Sequence, residues 1–170
     1  MVEAALGFGG NLGDPVARFG AALQALARHP RITVATRSSV YATQPWGNTE
    51  QPEFANMAAI VRTTMPAAEL LSFCLLIETE AGRKRLEQWG PRTLDIDILT
   101  YGEASIAVPG LSVPHPHLTE RAFVLVPLAE IAPQLRVGGR TIAALRDAID
   151  TRGVRRDVFA TARLATLFVP

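Results

Sequence analysis

Trp89-Gly90-Pro91-Arg92-Thr93-Leu94-Asp95-Ile96-Asp97-Ile98-Leu99 sets two carboxylates at positions i and i+2 inside an apolar run. Side chains alternate across a strand, so Asp95 and Asp97 share one face, while Leu94, Ile96 and Ile98 share the other and point into a core. Successive same-face positions lie roughly 6 to 7 Å apart, near enough to repel and far enough to hold cations between them. An acid pair on an exposed strand face can be plain solvated surface. Asp is depleted in strands, however, and its apolar flanks favour a metal-binding pair. Ahead of it Gly90-Pro91 makes a rigid turn that cannot continue a helix, which leaves Arg92 beside the acids.

Working outward, Arg83, Lys84, Arg85 and Arg92 fall within ten positions, and His115 and Arg121 follow in a second polar segment. Taken alone, Arg83 to Arg85 reads equally as a helix C-terminus, where cations offset the dipole. Next to two acids it reads as the cationic half of a site for a polyphosphate carrying magnesium.

The same alternation places the strand in a fold. Val2 to Phe8 is a short apolar strand, and Pro15 to Ala27 has helical spacing with Asp14 as its N-cap. Ile32 to Tyr41 and Phe54 to Thr63 read as strands, Pro66 to Ala81 as a second helix, and Leu94 to Tyr101 as the acid-bearing strand. This β-α-β-β-α-β order predicts an α+β, ferredoxin-like sheet with both helices on one face and a ligand face opposite. Short helices and irregular segments follow, around Ala122 to Ala132 and Thr141 to Ile149. Thr151 to Pro170, with four arginines and a mixed apolar pattern, is assigned no element. Gly9-Gly10-Asn11-Leu12-Gly13-Asp14 reads as a tight turn whose backbone approaches a ligand; it has neither a Walker ending nor the third glycine of a dinucleotide fingerprint. Residues 42 to 53 form a loop long enough to be functional.

At 170 residues and 48% apolar content, one domain with a real core is expected over residues 1–170. The single cysteine, Cys74, reads as a small core residue, which excludes a disulfide framework and a cysteine metal site and suits a cytoplasmic setting. No apolar run of the roughly 18 residues that a bilayer requires is present, so no membrane is expected as a partner. A net charge of +1 argues against a nucleic-acid partner.

Gly90 to Leu99 resembles the signature of the 6-hydroxymethyl-7,8-dihydropterin pyrophosphokinase family. The similarity extends through Gly9 to Asp14, Thr43 to Gly47, Gln51 to Asn56, Ile77-Glu78, Gly82-Arg83, Val113-Pro114-His115, Arg121 to Leu128 and Glu130 to Pro133. It thus covers about residues 1–135 and leaves 136–170 as a family-variable tail. The resemblance implies an ATP-dependent pyrophosphokinase of folate biosynthesis that moves the pyrophosphoryl group of ATP to the pterin hydroxymethyl oxygen and releases AMP. By the same resemblance, Asp95 and Asp97 hold two Mg²⁺ ions and form the catalytic set with Arg83 and Arg92. Arg83, Arg85, Arg92, Ile98, His115 and Arg121 match ATP-binding positions. Phe54 and Phe123 match aromatics that sandwich the pterin, and Asn56 matches the amide that reads its edge. Thr43, Pro45 and Trp46 complete that pocket, and Trp89 matches an aromatic that folds over it. Small-molecule partners only, and a monomer, are expected. Loop closure commonly limits turnover, so residues 43 to 53 and 83 to 92 are expected to move.

The chain departs from the family pattern at Gly10, where serine is usual, at Gln44, where proline is common, and at Pro116-His117, where an aromatic sometimes follows the histidine. His29 is expected at the surface. Two rival readings stay open: another Mg²⁺-dependent phosphoryl or nucleotidyl transferase, and a non-catalytic pterin- or nucleotide-binding relative.

Overall fold

The fold is described from a computed structural model, over residues 1–45, 49–82 and 92–170. β1 (Val2–Gly10) runs into α1 (Pro15–Arg28), whose N-terminus is capped by the Asp14 carboxylate accepting from Ala17 N at 3.1 Å. β2 (Ile32–Arg37), β3 (Tyr41–Thr43) and β4 (Phe54–Thr63) follow, then α2 (Ala67–Glu80) and β5 (Asp95–Tyr101). β2 and β3 both pair antiparallel with β4, β4 with β1, and β1 with β5. Spatially, β5, β1, β4 and then the β2–β3 pair make the antiparallel sheet of a ferredoxin-like fold, as the alternation predicts.

One expected strand, Ile32 to Tyr41, is broken at 38–40. Ser38 still pairs with Ala58, its N–H on the Ala58 carbonyl at 2.8 Å and its Oγ accepting from Ala58 N at 2.9 Å. Ser39 turns its amide away from the sheet altogether, towards Glu130.

β1 separates two cores because alternate residues leave opposite faces. Ala4, Leu6 and Phe8 pack with Phe19, Leu23 and Leu26 of α1, Leu70 and Cys74 of α2, and Ile96 and Ile98 of β5. A fully buried Phe19 or Leu23 contributes about 1.5 to 3 kcal/mol. On the other face, Ala5, Ala58, Ile60 and Leu99 pack beneath α3 (Ala122–Ile131) and α4 (Ile142–Asp147). The expected ligand face is therefore covered in part, and among the described residues the end carrying Gly7, Gly9, Asn56, Asp95 and Asp97 lies outside that second core.

The hairpin of β6 (Ile106–Val108) and β7 (Leu111–Val113), a 3₁₀ turn at Leu118–Glu120, and the short pair β8 (Arg136–Val137) and β9 (Arg140–Thr141) complete the middle of the chain. The tail, which has no sequence assignment, docks fully. β10 (Val154–Arg156) pairs antiparallel with β3, and α5 (Val158–Leu167) lies against α1, burying Leu164 in the first core. Gly20 permits this approach, since a Cβ there would come within 2.8 Å of Leu167 Cβ. His29 is half-buried, its ring 4.7 Å from that of Phe73, where the sequence suggests a surface position. Cys74 is fully buried, and burial pushes its thiol up to about 12.

Candidate active site

Register builds the site. Gly9 of β1 is the Cα partner of Asn56 on one side and of Asp95 on the other, and Gly7 stands likewise between Ala58 and Asp97. Directly opposed residues of antiparallel strands project to the same face, so Asn56, Asp95 and Asp97 share one surface with bare glycine between them. Two strand spacings put Asn56 and Asp95 roughly 9 to 10 Å apart at their Cα atoms. Gly7 and Gly9 are both part-open amid buried neighbours. A Cβ on Gly7 would meet Leu99 Cδ2 at 3.3 Å; one on Gly9 would meet only Asn56 Oδ1, at 3.4 Å. Leu99 is the extra residue of a bulge, since Leu6 pairs with Ile98 and Ala5 with Thr100.

The acids differ in surroundings. Asp95 is buried and ion-paired to Arg92. Asp97 meets solvent directly, yet the depth of protein around it desolvates its carboxylate and raises its pKa. Asp95 pushes in the same direction, while His115, Arg121 and Arg92 pull it back. His115 is anchored by its N–H on the Leu99 carbonyl at 2.8 Å, and its Nδ1 accepts from His117 N at 3.2 Å. Burial lowers its pKa and Asp97 raises it. With Nδ1 accepting from His117 N, a neutral ring carries its proton on Nε2. Arg121, at the start of α3, lies with its guanidinium 5.8 Å from the Phe123 ring centre, within cation–π range.

At the other end of the row, Asn56 Nδ2 donates to Thr43 Oγ1 at 2.9 Å, and Phe54, two positions from Asn56 on β4, shares its face. Pro45 is buried. Ile98 is a core residue on the opposite face from the two acids, so only its main chain can touch a ligand on their side. Arg83, Arg85, Trp46 and Trp89 lie outside the described residues, as does most of the 83 to 92 segment expected to move.

Asn11, buried in the β1–α1 turn, is a further organiser that the motif reading does not single out. Its Oδ1 accepts from Arg92 N at 2.9 Å, its own N–H donates to the Arg92 carbonyl at 2.9 Å, and its Nδ2 donates to Gln51 Oε1 and the Pro52 carbonyl at 2.9 and 3.1 Å. A small amide between two glycine-bearing segments is its only trace in the sequence. Gly10 stands where a Cβ would come 2.7 Å from the Thr93 carbonyl, so the glycine lets the 92–93 backbone close on β1. Gln44 donates to Glu53 Oε1 at 2.6 Å, and Arg155 of β10 donates to Glu53 Oε2 at 3.1 Å.

Among the described residues no three His, Cys, Asp or Glu side chains cluster to cage a metal. Two same-face carboxylates with an open side fit Mg²⁺, which keeps water and substrate phosphate as its remaining ligands. No helix among the described residues is long and apolar enough to cross a membrane.

A ferredoxin-like sheet whose open end carries paired carboxylates, an arginine and a histidine has the equipment of a phosphoryl-transferring enzyme. The chain belongs to the 7,8-dihydro-6-hydroxymethylpterin-pyrophosphokinase family, whose model matches residues 5–133. It is thereby a pyrophosphokinase. It is 46% identical over 156 residues to the 2-amino-4-hydroxy-6-hydroxymethyldihydropteridine pyrophosphokinase of Methylorubrum extorquens, covering 92% of this chain and 99% of the relative. The Pseudomonas aeruginosa enzyme of the same name is 43% identical over 149 residues, with 87% and 92% covered. Among solved structures, the Plasmodium falciparum HPPK-DHPS crystallised with SDX-DHP superposes with a TM-score of 0.69 at 15% identity, which concerns the fold alone. The match takes in 92% of this chain but 47% of the Plasmodium chain, so this chain spans about half of that protein.

Proposed function

We propose that this chain transfers the pyrophosphoryl group of ATP to the hydroxymethyl oxygen of 6-hydroxymethyl-7,8-dihydropterin, releasing AMP, as a single domain over residues 1–170, a monomer, in the cytoplasm. The observation that carries this reading is the row Asn56, Gly9, Asp95 with Asp97 beside it. It sets a hydrogen-bonding amide that suits a flat polar heterocycle at one end of a glycine floor, and paired acids that suit a metal polyphosphate at the other.

In this reading Asp95 and Asp97 hold two Mg²⁺ ions, which when bound supply charge neutralisation on the triphosphate and polarise the reacting oxygens. The chain's own part is placement. Arg92, held beside Asp95 and clamped through its backbone by Asn11, binds the phosphates together with His115 and Arg121; Arg83 and Arg85 join them. The Nε2 proton of His115 is the one available to a phosphate oxygen, because Nδ1 is already an acceptor. Ile98 contributes main-chain contact to the nucleotide. Phe54 and Phe123 stack on the pterin, Asn56 reads its edge, and Thr43, Pro45, Trp46 and Trp89 close the pocket. Bringing the hydroxyl into line with the β-phosphorus is chiefly an effect of position and charge, not of covalent help from the protein.

The test is to incubate the purified chain with ATP, Mg²⁺ and 6-hydroxymethyl-7,8-dihydropterin and resolve the nucleotides. AMP formed in step with pterin diphosphate is the expected result. Formation of ADP, or binding of both substrates without turnover, would overturn the assignment.

A further inference from the structure

We propose that Glu130 is a positioning residue for pterin recognition: its carboxylate ties the helix that carries Phe123 to the strands that carry Thr43 and Asn56, and so sets the gap the ring enters. The inference rests on the assignment of that pocket to the pterin.

The geometry is specific. Glu130 Oε1 accepts from Ser39 N at 3.1 Å and Ser39 Oγ at 2.9 Å. Its Oε2 accepts from Ser39 N at 3.0 Å and from the Tyr41 hydroxyl at 2.8 Å. Ser39 Oγ in turn accepts from Arg156 Nε of β10 at 2.8 Å, which draws the tail into the same node. Ser39 is 3% exposed, so its amide and hydroxyl need these partners. The strand break at 38–40 thereby acquires a reason: it releases the Ser39 amide from the ladder and hands it to α3.

Two further links carry the effect to the pocket. Tyr41 is the Cα partner of Asn56, and Thr43 further along β3 accepts from the Asn56 amide. On α3, Phe123 and Glu130 are seven residues apart, so they lie on one side of the helix, roughly 10 Å apart along its axis. A single anion at one end thus fixes where the opposite end presents Phe123 relative to Asn56. Neutral glutamine has the same length but turns one acceptor into a donor, which is wrong for the Ser39 N–H that both carboxylate oxygens accept from.

The experiment compares Glu130→Ala, Glu130→Gln, Tyr41→Phe and Asn56→Ala in the full chain. For each, the KM values for pterin and ATP are measured separately, together with far-UV circular dichroism and the tyrosinate absorbance titration. Glu130→Ala, which removes all of these bonds, is expected to raise the pterin KM about tenfold, the equivalent of one charge-assisted hydrogen bond reaching the pocket, and to leave the ATP KM within about twofold. Tyr41→Phe should give part of that rise. Tyr41, pushed up to about 12 by burial and then by its bond to the carboxylate, should titrate lower in Glu130→Gln. If Glu130→Ala does not fold, the glutamine and phenylalanine variants carry the test. A pterin KM raised by Asn56→Ala but untouched by the Glu130 and Tyr41 variants overturns the role of Glu130 and leaves the pocket standing. Equal rises in both KM values also overturn it, since they mark a general scaffold effect. An Asn56→Ala variant with unchanged pterin KM removes the pocket assignment, and the inference with it.

Discussion

Gly9→Ala should make this protein more stable and much less active. Gly9 does not have a positive φ, so alanine can adopt its backbone conformation. The added methyl would stand on the face shared by Asn56 and Asp95, 3.4 Å from Asn56 Oδ1, an ordinary contact that needs no rearrangement. Restricting the unfolded chain then stabilises the fold by about 0.4 to 1 kcal/mol. For a chain of this size that corresponds to a rise of roughly 1 to 4 °C in Tm. The same methyl lifts any ligand lying across the glycine floor between the amide and the acids. A misplacement of about 1 Å costs on the order of 100-fold in rate. Calorimetry and steady-state kinetics on the same preparation measure both effects. A kcat/KM within about threefold of wild type would refute the placement of the ligand on this floor, and so would a fall in kcat/KM that merely tracks a lower Tm. Gly7→Ala is the contrast, since its methyl would meet the Leu99 side chain at 3.3 Å, and it should cost stability more than activity.

Asp97→Ala should abolish turnover while the fold persists, because the residue meets solvent and its carboxylate is a desolvated charge the fold gains little from; substantial residual AMP formation would remove it from the metal set. Asp14→Ala should destabilise by about 1 kcal/mol through loss of the α1 cap. The Arg163 guanidinium and the Ala17 amide hold the Asp14 carboxyl below its ordinary 3.8, so its contribution is present above that value and fades as pH falls through the folded pKa. The Tm gap between wild type and variant should therefore be open at pH 7 and shrink in acid; a gap independent of pH would contradict the account. Leu164→Ala, which cuts a fully buried side chain where α5 meets the core, should cost about 2 to 5 kcal/mol. Denaturant unfolding that shows no shift would mean the tail is dispensable.

How far the chain could be read from its sequence follows from the range of the forces involved. Alternation and helical spacing are local, and they correctly place β1, β4, β5, α1 and α2 and put Ile96 and Ile98 opposite the two acids. The Asp14 cap is local as well. The break at Ser38 to Val40 is not, because the partner of the Ser39 amide lies 91 residues away on α3. Nothing in Thr151 to Pro170 announces that three of its residues extend a sheet whose other strands lie between Val2 and Tyr101. Gly20 is the one sequence trace of α5, a glycine inside a helix where a close neighbour needs room. At the site, the acid pair follows from alternation and Asn56 enters only through the family resemblance, whereas Asn11 and Glu130 work through loops and strands remote in sequence. Such contacts have no period to detect.

The pairing of β10 with β3 also bears on how copies of this chain meet one another. β3 is three residues long and carries Thr43; without β10 its outer row of amide and carbonyl groups would be an open template for strand addition by another molecule. β10 covers that row with a strand equally short, bearing the exposed charges of Arg155 and Arg156. Short, cationic edges resist extension. The last segment of the chain to join the sheet is thus the one that stops the sheet from growing, and a protein truncated before Val154 should self-associate through the strand that carries Thr43.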